Sequence, residues 1–439
     1  MPERLSDLSY YEASAPAGNW PRLTGQATEP QVEVAIIGGG FAGLATARGL
    51  QERGLRSIAL LEAQSIGHGA SGRNGGFVFG GYSRDAAALW RELGPGPARE
   101  LYALTRDAVG RIRSRIATHG IACDKVEGGA LLVNWFHSRR AEQALRGQAR
   151  FLAEQFGVHW DEVAPEQLRQ WLDTERYSAG LLERDAFHFH PLRYAQGLAA
   201  LIAAEGGLLY ERSPVQRIEP LAGAAGGAAG GGYRLHGADG ASLRAEQIVV
   251  AGGGYLQQLL PALERARLPI ATYVMVTEPL DAGHCPIHTP AAIYDTRFAF
   301  DYYRMLPERR LLWGGRISIL EREPHRIAEL LRADMLRVYP QLAGVRIEHA
   351  WGGLMSYARH QMPQIGQLAP GLWFAQAFGG HGVAPTTVAG ELLADAISGR
   401  QALPQVLQRY GLSSVFGRLG LLAAQANYSW AELRDALKR

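Results

Sequence analysis

Two glycine-rich turns hold the residues of this sequence best suited to chemistry. In the first, the β-branched run Val32-Glu33-Val34-Ala35-Ile36-Ile37 leads into Gly38, Gly40 and Gly43. A helix-like segment opens at Phe41 and Ala42. Each glycine has a physical use: the first makes the tight turn, the second lets a pyrophosphate approach the backbone, and the third lets helix and strand pack closely. The helix start then offers free N–H groups and the positive end of its dipole to an anion. A second strand, Ser57-Ile58-Ala59-Leu60-Leu61, ends at Glu62 and Ala63, and the acid falls about 20 residues past the motif, where a ribose hydroxyl needs an acceptor. This spacing predicts an adenine dinucleotide. The second turn, Phe378-Gly379-Gly380-His381-Gly382-Val383, follows the strand-like Leu372-Trp373-Phe374-Ala375 and precedes a helix to about Ile397, again aiming N–H groups at an electron-rich ligand atom.

The elements that must position these turns read as α/β, with an α+β substrate part. A Rossmann-like domain is assembled from discontinuous segments 31–85, 186–262 and 345–400. A sheet domain, expected to be antiparallel, is inserted as 86–185 and 263–344. Residues 1–30 form an extended arm broken by Pro16, Pro21 and Pro30, and 401–439 a helical tail. Helices are predicted over Leu89 to Ala117, Arg139 to Phe156, Leu192 to Glu205 and Arg326 to Val338. Strands are predicted at Leu208 to Tyr210, Pro214 to Ile218, Tyr233 to His236, Gln247 to Ala251 and Ile270 to Val276, and from Phe298 to Ile319. The alanine- and glycine-rich stretch Ala222 to Gly232 reads as a long hairpin loop.

A chain of 439 residues, 47% of them apolar, is long enough for two domains sharing a large core. Its net charge of +3, with no basic run, argues against a nucleic-acid surface. Cys123 and Cys285 have no metal or CxxC spacing, which reads as two reduced thiols in a cytoplasmic protein and leaves a disulfide reductase without its cysteine pair. No charged n-region with an apolar core opens the sequence and no run of 18 apolar residues occurs, so neither secretion nor membrane spanning is expected. His188 and His190, one residue apart before Pro191, read as a strand end, and no metal site is expected.

Together these segments resemble the D-amino-acid-oxidase superfamily of flavoproteins. The discriminating stretch is Gly67-His68-Gly69-Ala70-Ser71-Gly72-Arg73-Asn74-Gly75-Gly76, similar to the bacterial gamma-glutamylputrescine oxidase branch, as are Ser9-Tyr10-Tyr11 and Asp301-Tyr302-Tyr303-Arg304. The resemblance implies FAD, held noncovalently, with His68 in a supporting loop rather than as an attachment point. It implies Gly38, Gly40 and Gly43 at the pyrophosphate, with Phe41 and Ala42 beside them, and Glu62 with Ala63 at the ribose. Ala70, Ser71, Arg73, Asn74 and Gly75 would run from the pyrophosphate to the flavin edge. Val215 would meet adenine through its backbone beside Gly252, and Gly380, His381, Gly382 and Val383 would lie at the flavin N1–O2 edge.

The activity implied is oxidation of an amine at its C–N bond by hydride transfer to flavin, giving an imine that hydrolyses to a carbonyl compound. O2 is the expected acceptor, with another acceptor as the alternative. Related amino-acid oxidases hold a carboxylate with arginine after a Trp-x-Gly-Leu pattern, but here Trp351-Gly352-Gly353-Leu354 is followed by Met355. The other clamp position falls at Gly379 and Gly380. A carboxylate left unpaired in a dry pocket is costly, so a polyamine derivative such as gamma-glutamylputrescine is favoured over a simple alpha-amino acid. Arg304, Arg316 and Arg359 are candidates for a distal carboxylate. An amino- or imino-acid oxidase or dehydrogenase is the alternative, and an electron-transfer flavoprotein subunit the alternative of another class. His381, Tyr302, Arg304 and Trp351 are the catalytic candidates. The only lysines, Lys125 and Lys438, lie outside the region where sarcosine-type oxidases place one to assist oxygen.

Overall fold

The strand Gln31–Ile37 alternates its burial between two apolar clusters. Val34 and Ile36 pack with Leu44 and Leu50 of the following helix, while Ala35 and Ile37 face Leu61 and Leu243. Such a strand, buried on both faces, belongs at the centre of a parallel sheet. The computed structural model, which describes residues 5–16, 18–25, 28–221 and 231–437, places it there. The first sheet runs in the order Gln364–Ala369, Leu372–Gln376, Ser242–Val250, Gln31–Ile37, Ile58–Leu61, Leu208–Tyr210. Along this order neighbours are parallel except the edge pair Gln364–Ala369 and Leu372–Gln376, and an antiparallel branch, Tyr233–His236 with Arg217–Pro220, leaves from Ser242–Val250. Strand order reverses beside Gln31–Ile37, so the crevice outside its carboxyl end is where such sheets bind ligands. Helices Phe41–Glu52 and Val383–Ile397 cover one face.

The second sheet runs Ile347–Tyr357, Leu268–Pro279, Arg310–Ser318, Tyr302–Leu306, Ala292–Asp295, Ala130–Val133, Gly180–Glu183, Asp161–Val163. Alternate residues Tyr273, Met275, Tyr303, Leu311 and Trp313 pack on Ile327, Leu331 and Met335 of the helix Pro324–Val338. The opposite face presents Thr272, Tyr302 and Arg316 to the cavity described below. The period of two along each strand therefore divides scaffold from site.

Several expectations shift. Ile347–Tyr357 pairs with Leu268–Pro279, so the segment assigned to the dinucleotide domain from 345 begins as the edge strand of the second sheet. That sheet is mixed, because Ala292–Asp295 lies parallel to Ala130–Val133. The helix predicted over Leu89 to Ala117 is two, Ala86–Leu93 and Pro95–His119, broken where Gly94 takes a φ of +81° before Pro95. The N-terminal arm carries a short helix, Tyr10–Ser14, closed by a Ser9/Glu12 capping box. The strand expected at Pro214 to Ile218 begins later, at Arg217–Pro220. Residues 222–230 of the predicted hairpin loop lie outside the described residues.

Candidate active site

The first glycine turn has the geometry its residues demand. Gly38 holds a φ of +115°, and a Cβ there would sit 2.6 Å from the Ala251 carbonyl oxygen. A Cβ on Gly43 would come within 2.0 Å of the Gly38 carbonyl oxygen, so Gly43 is the packing contact between helix and turn. It does not line the cavity, which corrects its expected place at the pyrophosphate. Gly40 caps the helix with no side chain, and the Phe41 N–H donates to Ser71 Oγ at 2.8 Å. Glu62 accepts from the Gly39 N–H at 2.7 Å and the Gln64 N–H at 2.9 Å. Burial raises its pKa against the pull of those bonds.

The loop after Gly69 is held from within by Asn74. Its amide donates to the carbonyls of Ala70 and Ser71, at 3.0 and 2.8 Å, and its Oδ1 accepts from the Gly76 N–H at 2.8 Å. Arg73 leans toward Glu12 at 3.3 Å, yet its Nε is buried with no hydrogen-bond partner among the described residues. A buried unpaired donor is costly, and a pyrophosphate oxygen is the acceptor that would remove the cost.

One cavity of about 1460 Å³ joins these pieces, beyond the roughly 300–1,000 Å³ of a single small-ligand pocket. Its walls include Gly38, Gly40, Phe41, Ala42, Glu62, Ala63, Ala70, Ser71, Arg73, Asn74, Gly75, Val215, Gly252, Gly380, His381, Gly382, Val383 and Tyr302. His68 is also in the wall, with its ring 6.2 Å from that of Tyr255. An elongated group with a pyrophosphate at the helix start and a ribose at Glu62 fits this donor set.

Two expected catalytic residues lie elsewhere. Arg304 is almost fully buried beneath the loop. It donates to the carbonyls of Gly75 (2.6 Å) and Phe189 (2.9 Å) and to the Tyr11 hydroxyl (3.1 Å), and meets His188 Nδ1 at 3.2 Å. Trp351 is buried too, and its Nε1–H donates to the Arg73 carbonyl at 3.0 Å. Neither lines the cavity; both brace the loop that does. Tyr302 shares a strand face with Arg304 and reaches the cavity, because it clears the loop at Gly75 while Arg304 passes under Gly76.

His381 Nε2 contacts the Gly80 carbonyl at 2.9 Å, which assigns that nitrogen the proton. Burial pushes the ring down to about 4, so it is neutral at pH 7. Beside it lies a feature with no local sequence signal. Phe79 packs edge-on against His381 at 4.2 Å and stacks on Tyr294 at 5.7 Å. Tyr294 meets Phe300 at 6.1 Å, Phe300 meets Tyr302 at 6.2 Å, Tyr302 meets Phe77 at 5.7 Å, and Phe77 returns to Phe79 at 6.2 Å. The result is a closed aromatic circuit. The C-terminal helix Gly417–Leu437, expected as a tail, contributes Ala424, Asn427 and Tyr428 to the cavity.

Arg297, a cavity residue the sequence did not single out, spends its guanidinium on Asp295 and Asp301, both at 2.5 Å. Arg316 and Arg359 line the cavity. His188 bonds to the Pro290 carbonyl and His190 caps a helix; burial pushes both to about 3. Among the described residues no cluster suited to a metal occurs. Lys125 pairs with Glu127 at 2.9 Å, outside the cavity, and Lys438 lies outside the described residues. Cys123 and Cys285 are unpaired, and no described helix is long and apolar enough to cross a membrane.

Compared with known proteins, residues 33–396 match the family described as DAO, FAD dependent oxidoreductase. The chain is 32% identical over 402 residues to the gamma-glutamylputrescine oxidoreductase of Escherichia coli, covering 89% of each. It is 29% identical over 395 residues to a probable oxidoreductase, OrdL, of Haemophilus influenzae, across 88% of this chain and 87% of that one. Among solved structures, glycine oxidase from Geobacillus kaustophilus superposes with a TM-score of 0.71 at 20% identity, over 88% of this chain and 99% of that one; this likeness is one of fold.

Proposed function

The chain belongs to the DAO family of FAD-dependent oxidoreductases, and from that premise we propose that it oxidises the C–N bond of a polyamine-derived amine such as gamma-glutamylputrescine. The product imine is hydrolysed by water to a carbonyl compound. That the protein is an FAD-dependent enzyme acting on amine or amino-acid substrates rests on the family itself. The observation that carries the finer reading is the aromatic circuit beside His381, in a cavity with Met355, Gly379 and Gly380 where amino-acid oxidases place carboxylate clamps.

When bound, FAD supplies the hydride acceptor. In this reading Gly38, Gly40, Phe41, Ala42, Ser71 and Arg73 hold its pyrophosphate, Glu62 with Ala63 its ribose, and Val215 with Gly252 its adenine. Ala70, Asn74 and Gly75 carry the loop to the flavin edge. Gly380, Gly382 and Val383, at the positive end of the helix Val383–Ile397, favour negative charge gathering on the ring. The aromatic faces hold an ammonium by cation–π attraction as it enters. The same walls exclude water and disfavour the charged form, which frees the nitrogen lone pair that hydride loss requires. Neutral His381 adds no repulsion to the arriving cation.

We propose noncovalent attachment through the glycine turns, O2 as acceptor with hydrogen peroxide as product, and a cytoplasmic location. The last is supported by the two unpaired thiols. Anaerobic titration of the yellow protein with amines and amino acids, read as bleaching near ~450 nm, tests substrate class through the cofactor's own chemistry. Bleaching by gamma-glutamylputrescine and related amines, reversed on admitting air with peroxide formed, is the expected result. Bleaching by proline, pipecolate or glycine alone transfers the assignment to an amino- or imino-acid enzyme. Reduction only by a protein partner would make it an electron-transfer subunit.

A further inference from the structure

Arg316 occupies an unusual backbone position for a cavity residue. In the pairing of Leu268–Pro279 with Arg310–Ser318, Thr272 faces Ile317 and Tyr273 faces Gly315, so Arg316 is the extra residue of a β-bulge. It takes a φ of +55°, a left-handed conformation that is strained for a non-glycine residue. Its carbonyl accepts from Thr272 Oγ1 at 3.1 Å. Strain of this kind persists where surrounding contacts hold a side chain to a task. Here the contact is Asp334, nearly buried, whose carboxylate takes Nε at 2.5 Å and Nη2 at 2.9 Å in a fork.

The fork leaves Nη1 with no hydrogen-bond partner among the described residues, on a side chain that lines the cavity. The other arginines beyond the cofactor loop are differently placed. Arg297 is spent on two carboxylates, and Arg359 is exposed, with its guanidinium 6.0 Å from the Phe416 ring. Among the described cavity arginines outside that loop, Arg316 alone combines a fixed guanidinium with an unused N–H edge.

Its location sets a length. Register places Tyr302 opposite Gly314, so Arg316 falls level with Phe300, on the side of the aromatic circuit remote from His381. Ring centroids step from His381 to Phe79, Tyr294 and Phe300 by 4.2, 5.7 and 6.1 Å. A ligand crossing the circuit spans on the order of 10 Å, about eight bonds of an extended chain.

We propose that Arg316 determines specificity by receiving, through Nη1, a carboxylate carried about eight bonds from the amine-bearing carbon. The preferred substrates are then amines with a remote carboxylate rather than alkylamines or alpha-amino acids. This rests on the amine-oxidising reading of the same site.

The test is a ladder of omega-amino carboxylates with four to ten methylenes, each compared with its omega-amino carboxamide, which lacks the carboxylate charge, by kcat/KM for turnover with a redox dye as electron acceptor. Wild type is expected to favour the carboxylate about tenfold or more at the long end and to lose the preference at the short end, the scale of one charge-assisted hydrogen bond. In Arg316→Gln the long-chain preference falls to about one, chiefly through KM. Equal treatment of carboxylate and carboxamide at every length, or a preference that survives in Arg316→Gln, overturns the assignment. Where Arg316→Gln leaves Asp334 unpaired and does not fold, the paired R316Q/D334N variant carries the same comparison with no lone charge. Should no amine reduce the flavin, the amine reading fails and Arg316 is judged apart from it. Sebacate is then expected to perturb the flavin spectrum of wild type and not of Arg316→Gln, and no perturbation in wild type overturns the assignment.

Discussion

Replacing Arg304 with methionine separates a brace from a substrate clamp. The guanidinium donates to two backbone carbonyls and a hydroxyl and meets one imidazole nitrogen, none of them acidic. Methionine fills similar space but leaves the Gly75 and Phe189 carbonyls and the Tyr11 hydroxyl buried without their donor. Each bond to a charged group is worth about 1.5–3 kcal/mol. Part of that sum returns because the substitution no longer buries a cation, at several kcal/mol per ion. The net loss is about 3–5 kcal/mol, concentrated at the Gly75-Gly76 end of the cofactor loop. Thermal unfolding followed by flavin release and by tryptophan fluorescence is the assay, together with FAD affinity and turnover of the FAD-saturated protein. The melting temperature should fall by roughly 5–10 °C. FAD should bind more weakly, with kcat at saturating FAD within a few-fold of wild type. A variant that melts and binds FAD like wild type but loses a hundredfold or more in kcat/KM would show that Arg304 meets substrate, and the reasoning would be wrong.

Further outcomes follow from the cavity and from the buried ionisable groups of the surrounding scaffold. Phe79 touches His381, Tyr294 and Phe77, so Phe79→Leu opens the circuit and should raise KM for amines about tenfold with a smaller change in kcat, seen in steady-state kinetics. Burial raises Glu183 to about 8, so the folded state holds a proton that the unfolded chain releases near 4.5. The associated stability is present below pH 4.5 and is lost as pH rises toward 8. Glu183→Gln removes that loss and should gain up to about 4 kcal/mol over wild type at pH 8 and little at pH 4.5, read from paired melting curves. His188, His190 and His381 carry depressed values of about 3, 3 and 4. Their neutral forms support the fold above pH 6.5, and the support is lost as pH falls toward 4, at about 2 kcal/mol per histidine by pH 5. A melting temperature flat between pH 7 and 5 would contradict their burial in the neutral state.

Much of the cofactor end was legible because its constraints are local. A positive φ at Gly38, a close approach at Gly43 and an acid at the end of the next strand act within one strand–turn–helix unit, so spacing reports them directly. The bracing loop was legible as a motif but not in its internal roles: Asn74 folds the loop, and Trp351 and Arg304 hold it from below. Tyr302 and Arg304 show why. Two residues apart on one strand, they share a face, and only the position of Gly75 and Gly76 above that face sends one into the cavity and the other under its floor. The aromatic end of the cavity was largely illegible. The aromatic circuit draws its rings from segments more than 200 residues apart, and the C-terminal helix carries no motif that announces a wall of the cavity.

By itself, the sequence determined a dinucleotide fold, its glycine turns and the acid at Glu62, because backbone sterics and hydrogen bonding bind neighbours in the chain. Tertiary structure alone decided which polar and aromatic side chains line the cavity beyond the glycine turns. That choice depends on sheet register and on one bulge at Arg316, where a single extra residue re-aims a side chain and nothing in the local residue pattern encodes it.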